Sequence, residues 1–87
     1  MFNNLIIWIM ANRKKTLTLA KELGFHTVGE YYGYICDSYI NGNKTQCREL
    51  FNDMRLDDRM EFLRKLKNND FICIGESYCQ KIFDFLF

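Results

Sequence analysis

The chain has 87 residues, enough for a single domain, 1–87, with one hydrophobic core. Apolar residues make up 48 % of the chain and aromatic residues 16 %, and proline is absent, a composition that argues against intrinsic disorder. Lys and Arg number 12 against 11 Asp and Glu, so the chain lacks the basic surplus typical of nucleic-acid-binding proteins, although a local basic patch could still contact phosphates.

Two short apolar runs, at 5–9 and 71–74, could form strands that pair as a two-stranded β ribbon, but runs this short do not separate strand from helix by periodicity. The run at 5–9 could equally extend the helix that follows it. Nothing basic precedes this run, and it is too short to cross a bilayer, so we expect neither a signal peptide nor a membrane span. These features predict a cytoplasmic protein without membrane contact.

Helix start and stop signals divide the rest of the chain. A first helix is predicted over 16–23, with Gly24 as its left-handed C-terminal residue. Capping boxes, in which a cap side chain and the side chain three residues later bond each other's amides, predict three further starts. They begin at Thr27, Asn43 and Ser77. Asp57 and Asp58 mark a fourth start, because acidic side chains are favoured at the positive end of a helix dipole.

Apolar residues between these signals recur with helical spacing over 28–40, 44–54 and 58–67. The fold class predicted is therefore mainly α, a compact bundle of four or five short helices, to which the two apolar runs could add a small β ribbon. Met60 is assigned to the inward stripe of its helix. The residues predicted with most weight to lie in the core are Leu50, Phe51, Leu63 and Leu66.

No motif for catalysis, a metal or a cofactor is found. The four cysteines, at positions 36, 47, 73 and 79, lack the paired spacing of a structural zinc site, and His26 is the only histidine. A nucleophile would need a base and an orienting group beside it, and no local pattern supplies them. The sequence predicts four reduced thiols, no metal, no cofactor and no enzymatic activity.

Residues 17–25 are similar to the first helix and turn of a bacterial helix-turn-helix, and the basic residues 13–15 could contact phosphates. The next segment departs from that pattern. It is rich in tyrosine, carries Glu30 and is interrupted by Gly29 and Gly33, whereas a recognition helix presents polar side chains to base edges. An ordinary helical hairpin is favoured, and a small nucleic-acid-binding transcriptional regulator is kept as the alternative.

A protein-binding surface is predicted from the residue types that most often act as interface hot spots, tyrosine and arginine. Tyr31 and Tyr34 fall off the apolar stripe of their helix and are expected to be partly exposed. Four arginines fall largely on the outer faces of the next two helices. The predicted partner-binding residues are Tyr31, Tyr34, Arg48, Arg55, Arg59 and Arg64.

The C-terminal segment has more apolar residues than one helical face of so small a domain can bury. It either plugs the core or forms a homodimer contact. The residues that would form that contact are Ile82, Phe83, Phe85 and Phe87.

Residues 38–43, together with Gln46, Leu50–Phe51, Leu56, Asp58–Arg59 and Phe62–Leu63, resemble a pattern in small helical proteins that bacteriophages and other mobile elements encode. The resemblance covers about half of the chain, mostly 35–67, and carries no catalytic residue; the apolar ends at 2–9 and 81–87 do not belong to it. It implies a protein that binds a host protein in the host cytoplasm and inhibits or regulates it. A CRISPR-type defence enzyme is one such target.

Overall fold

The computed structural model of the chain describes residues 13–71 and 74–87. Within these ranges the chain forms five α-helices and no strand. The helices are α1 (Thr16–Glu22), α2 (Val28–Ile40), α3 (Lys44–Asp53), α4 (Leu56–Lys67) and α5 (Glu76–Leu86). The prediction of a mainly α bundle is confirmed.

The predicted β ribbon is not supported by the described residues. Its first run, 5–9, lies outside them, as do residues 72 and 73 of the second run, and neither Phe71 nor Ile74 belongs to a strand. The β-like pairing that the structure does contain is a single parallel bridge between Lys14 and Met54. It lays the chain before α1 beside the short connection between α3 and α4.

Two of the predicted capping boxes are confirmed. The Thr27 hydroxyl accepts from the amide of Glu30 at 3.2 Å and starts α2, and the Asn43 carbonyl oxygen accepts from the amide of Gln46 at 3.2 Å and starts α3. The third prediction is wrong, because α5 begins two residues before the expected position. The amide of Cys79 already donates to the Gly75 carbonyl at 3.1 Å, which places Ser77 inside the first turn.

Three helices end in the same way, with a residue in the left-handed region just past the cap. In each case its amide bonds the carbonyl three residues earlier and the next amide bonds the carbonyl five residues earlier, the Schellman arrangement. The left-handed residues are Gly24 and Gly42, each with φ of 87°, and Asn69, with φ of 57°. The left-handed end predicted at Gly24 is confirmed, and α2 and α4 end where the helical spacing predicted over 28–40 and 58–67 ends.

Helix α2 is the centre of the bundle and contacts α1, α3 and α5. It buries a side chain on nearly every turn. Those residues are Tyr31, Tyr32, Ile35, Cys36 and Ser38. Ser38 is satisfied within its own helix, since its hydroxyl donates to the Tyr34 carbonyl at 2.9 Å.

Phe62 of α4 lies at the middle of an aromatic cluster that joins α2, α3 and α4. Its ring centroid is 5.1 Å from that of Tyr32, 5.5 Å from that of Phe71 and 6.0 Å from that of Phe51. Tilted pairs at these separations are stabilising in addition to the area they bury. Phe62 is fully buried, and through this cluster α4 packs against α2 and α3.

The predicted core set is confirmed for Phe51, Leu63 and Leu66, which are buried. Leu50 is only half-buried, at the edge of the core. Met60 is wrongly assigned, because 54 % of it is exposed. The inner face of α4 is centred between Phe62 and Leu66, and Met60 lies well round the helix from that centre.

The C-terminal helix plugs the core with Cys79, Ile82 and Leu86, which are buried. Ile82 is fully covered by its own chain, so it has no free surface to offer to a second copy. Phe87 is 82 % exposed and stacks on Phe83 with 5.2 Å between ring centroids. The homodimer through these residues stays a prediction, and Ile82, which would lie in that contact, is already buried within its own chain.

Three cysteines, Cys36, Cys47 and Cys79, are buried and free of disulfide bonds, as predicted, and Cys73 lies outside the described residues. Across 13–71 and 74–87, no helix is both long enough and apolar enough to span a membrane.

Candidate interaction surfaces

The six predicted partner-binding residues do not form one surface. Arg48 lies against α5, Arg55 and Arg59 lie near Arg13 at the connection between α3 and α4, and Arg64 lies on the outer side of α4. Arg48, Arg55 and Arg64 are exposed, as expected, whereas Arg59 is half-buried. Tyr31 lies in the interior of the bundle, and Tyr34 lies at its margin.

Tyr31 is 1 % exposed, so the expectation that it lies at the surface is wrong. Its hydroxyl donates to the Leu50 carbonyl at 2.7 Å and thereby ties α2 to α3. Burial raises the pKa of this phenol, and the negative charges of Asp53 and Glu22 add to the effect. The side chain is a structural link that stays protonated, and its polar end is satisfied inside the protein.

Tyr34 is half-buried, as expected, and is held from two sides. The side-chain amide of Gln46 donates to its hydroxyl, and the ring of Phe25 meets its ring edge-on at 5.6 Å between centroids. Tyr34 therefore joins the turn after α1 to α3.

Arg48 forms the best-defined site on the surface, which we call the α3–α5 basic face and define by Lys44, Arg48, Tyr39 and Phe85. The guanidinium carbon of Arg48 lies 4.4 Å from the centroid of the Phe85 ring, and its Nη2 donates to the Phe85 carbonyl at 2.9 Å. The Lys44 ammonium lies 5.4 Å from the centroid of Tyr39, and the two rings are 5.4 Å apart. Two exposed cations thus rest on one pair of aromatic rings.

A shallow depression runs along this face. The residues that line it are Lys44, Thr45, Arg48, Glu49, Asn52 and Phe85. The ion pairs among the described residues are Lys14 with Glu22 and Arg64 with Glu61. Lys44 and Arg48 are in neither pair, so no carboxylate of the described residues lies within ion-pair distance of them. The positive charge of the α3–α5 basic face is therefore available to a partner.

A second group of cations lies where the chain before α1 meets the α3–α4 connection. The Nε of Arg55 donates to the Arg13 carbonyl at 3.2 Å. The Nε of Arg59 is buried and has no hydrogen-bond partner among the described residues, and burial together with the nearby charge of Arg13 lowers the pKa of Arg59. None of the three arginines forms an ion pair within 13–71 and 74–87, although Arg13 lies near Asp53 and Arg55 shares a depression with Asp57 and Asp58.

The outer side of α4 carries an exposed apolar stripe that the sequence analysis missed. Leu56 is 65 % exposed and Met60 is 54 % exposed, one turn apart on the same side of the helix. Arg64 continues the line by one more turn, and Asp57 and Glu61 lie along its edge. The sequence signal for this stripe is the i, i+4 spacing of Leu56 and Met60. The prediction followed the i, i+3 spacing of Met60, Leu63 and Leu66 instead, which placed Met60 in the core.

The Cys36 and Cys47 thiols are held in their protonated form by burial. Burial raises the pKa of the Cys36 thiol to about 12, with Cys79 and Cys47 adding to the effect, and raises that of the Cys47 thiol to about 11. Both are uncharged at neutral pH and are poor nucleophiles and ligands. His26 is exposed, and no group of three His, Cys, Asp or Glu residues within 13–71 and 74–87 is placed to hold a metal ion.

In the helical hairpin of α1 and α2, the exposed face of the candidate recognition helix carries Glu30 and Asp37, whose negative charges phosphates would repel. A recognition helix enters a groove with one face exposed along its length. The face of α2 turned to the bundle carries Tyr31 and Ile35, and α1, α3 and α5 all contact the helix. The geometry is that of a small helical bundle with basic and apolar surface patches. No protein-family model, curated protein or solved structure matches the chain.

Proposed function

We propose that this protein is a non-enzymatic binding module that docks an acidic surface of another protein on its α3–α5 basic face. The observation that carries the proposal is the placement of Arg48, which is exposed yet fixed by the Phe85 ring and the Phe85 carbonyl. A fixed arginine loses little side-chain entropy when it binds, which is the usual cost of using a long cation at an interface.

The chemistry of the face selects the class of partner. A guanidinium binds carboxylates through two parallel hydrogen bonds. In Arg48, one N–H of Nη2 is bonded to the Phe85 carbonyl, and the other N–H groups of the guanidinium are the donors proposed for a carboxylate. Lys44 adds a second positive charge beside the same ring pair. A partner that presents two carboxylates next to an apolar group would match both the charges and the ring edges.

Capture of proteins from a bacterial lysate on the immobilised chain tests the proposal. We expect at least one protein to be retained by the wild type and lost with Lys44→Glu combined with Arg48→Glu, because both attractive charges are reversed. Lys21→Glu is the matched control, since Lys21 is an exposed cation on α1 that is outside the ion pairs found among the described residues. Retention that is equal on all three chains would contradict the proposal.

The resemblance to small proteins of phages and mobile elements supports the further proposal that the partner is a host protein whose activity is inhibited or regulated, for example a CRISPR-type defence enzyme. The acidic partner surface proposed above is compatible with such a target. An inhibition assay with the captured protein tests this step, and activity that the chain leaves unchanged would restrict the proposal to binding alone.

A second candidate function, nucleic-acid binding, is favoured by the arginine corner of Arg13, Arg55 and Arg59. These side chains have no carboxylate partner within ion-pair distance among the described residues, and phosphate is their natural counterion. Titration of labelled duplex and single-stranded DNA at about 0.15 M salt tests it. Sub-micromolar binding that Arg55→Glu with Arg59→Glu abolishes, and that Arg48→Glu leaves unchanged, would replace the protein-binding proposal.

A further inference from the structure

We infer that the outer side of α4 is a contact for a second copy of this chain, formed by two antiparallel α4 helices. The starting observation is the exposed stripe of Leu56 and Met60, 65 % and 54 % exposed. Large apolar side chains scattered singly over a surface are normal, but two on successive turns of one helix form a continuous patch. The opposite face of the same helix is committed to the core through Phe62 and Leu66.

The charges along α4 select the occupant. On the side of the stripe, the start of α4 carries Asp57 and its end carries Arg64 and Lys67, whereas Asp58 is already bonded to Thr16. Two copies packed antiparallel would place the acidic start of each helix beside the basic end of the other. A parallel pair would place like charges together. The face is therefore complementary to itself in one orientation, which is the property that a two-fold contact requires.

The residues beside the apolar stripe agree with this pairing. Asp57, Glu61 and Arg64 line the same depression as Leu56 and Met60. Arg64 now pairs with Glu61 of its own helix on an exposed surface, where such a pair contributes little. In the antiparallel dimer Arg64 could also reach Asp57 of the second copy, so that one arginine serves two carboxylates.

The length of the helix limits the strength of the contact. Twelve residues extend for about 18 Å, and a contact along one helix of this length falls at the small end of specific interfaces. We expect a dimer that dissociates on dilution, with a dissociation constant on the order of 10–100 µM. The contact does not use Arg48 or Lys44, so its test is independent of the proposed binding function.

Sedimentation velocity of the full chain, from about 5 to about 300 µM, tests the inference. We expect the wild type to shift from monomer to dimer over this range, and Met60→Glu to weaken the dimer at least about tenfold by burying an unpaired charge. The matched control is Leu23→Glu, because Leu23 is 49 % exposed at the end of α1 and is not part of the α4 stripe. A wild type that stays monomeric throughout, or equal loss of dimer in both variants, would overturn the inference.

A mixing experiment separates a second copy from any other occupant. One variant combines Asp57→Lys with Glu61→Lys, and the other combines Arg64→Glu with Lys67→Glu; circular dichroism checks that both are folded. Each variant alone should be monomeric, because its α4 then carries charge of one dominant sign, whereas an equimolar mixture should form a heterodimer. A mixture that stays monomeric while the wild type dimerises would show that the dimer uses another face.

Discussion

Helices α2 and α4 are of similar length, yet they have opposite relations to the rest of the chain. Helix α2 has Glu30 and Asp37 as its two charged residues and lies at the centre of the bundle. Helix α4 is rich in charge, lies further out and leaves Leu56 and Met60 in solvent. Composition agrees with the depth of each helix, but it does not decide which apolar side chains are buried. What decides it is how many neighbours the topology places around the helix.

The largest effect that tests this contrast comes from truncating one apolar side chain in each helix, buried in α2 and exposed in α4. Ile35→Ala in α2 removes a fully buried side chain and should lower the free energy of unfolding by about 2–5 kcal/mol. Met60→Ala in α4 should change it by less than about 0.5 kcal/mol, because its side chain is mostly in water. Urea denaturation at about 2 µM chain, where the proposed dimer is dissociated, measures both. A cost above about 2 kcal/mol for Met60→Ala would show that the outer side of α4 is covered.

Alkali should act on the α2 side of the molecule. Burial raises the pKa values of Cys36 and Cys47 to about 12 and about 11, so between pH 9 and pH 11 the unfolded chain releases protons that the folded chain retains. The free energy of unfolding should therefore fall as the pH rises above about 9, by up to about 1.4 kcal/mol per pH unit for each thiol. Urea midpoints at several pH values measure the slope.

The control for this pH dependence is Cys47→Ala, which should reduce the slope between pH 9 and pH 11 while Cys36 continues to contribute. A slope that is the same with and without Cys47, or a wild type whose midpoint is flat up to pH 11, would contradict the burial of these thiols. Helix α4 has no cysteine or tyrosine of its own to add to the effect.

A smaller effect tests whether the α2 tyrosines are structural. Tyr31→Phe removes the bond from the hydroxyl to the Leu50 carbonyl and should cost about 1–2 kcal/mol, since that carbonyl loses a partner in a part-buried place. Tyr34→Phe is the matched change at a half-buried position and should cost less. Thermal unfolding of both variants makes the comparison. A larger loss for Tyr34→Phe would reverse the assignment of the two residues.

The smallest effect concerns the C-terminal ends of α2 and α4. Both have the Schellman arrangement, but the left-handed residue is Gly42 after α2 and Asn69 after α4. Gly42→Ala after α2 should cost about 1 kcal/mol, because φ of 87° is strained for any residue with a Cβ. Asn69→Gly after α4 should instead raise stability by a few tenths of a kcal/mol, since glycine is the favoured residue at this position. Shifts of the thermal midpoint in the same direction for both changes would show that one end is not left-handed in solution.

The parts of the fold that the sequence predicts well are those decided within a few residues. The caps at Thr27 and Asn43 and the left-handed end at Gly24 each depend on local hydrogen bonds. They were read correctly because no distant residue is needed to form them. The misplaced start of α5 is the exception, since Ser77 has cap chemistry but the first bond of the helix already forms to Gly75.

The candidate site depends on distant contacts and was predicted only in part. Arginine positions on outer faces follow from periodicity, which is why Arg48 was found. Its partner Phe85 is 37 residues away, and no local rule links them. The position of Tyr31 was predicted wrongly for the same reason, because its hydroxyl bonds the Leu50 carbonyl of another helix and no local rule links the two residues.

The bonds between Thr16 and Asp58 have a consequence for the order in which the protein folds. The amide and hydroxyl of Thr16 both donate to one Asp58 oxygen, at 3.0 and 2.9 Å, across 42 positions of the chain. Closing so long a loop is slow compared with pairing neighbouring helices, so we expect α1 to pack on α2 early and its bonds to Asp58 of α4 to form late. The amide of Thr16 should then exchange with solvent deuterium faster than the amides of α2, through openings that leave the rest of the molecule folded.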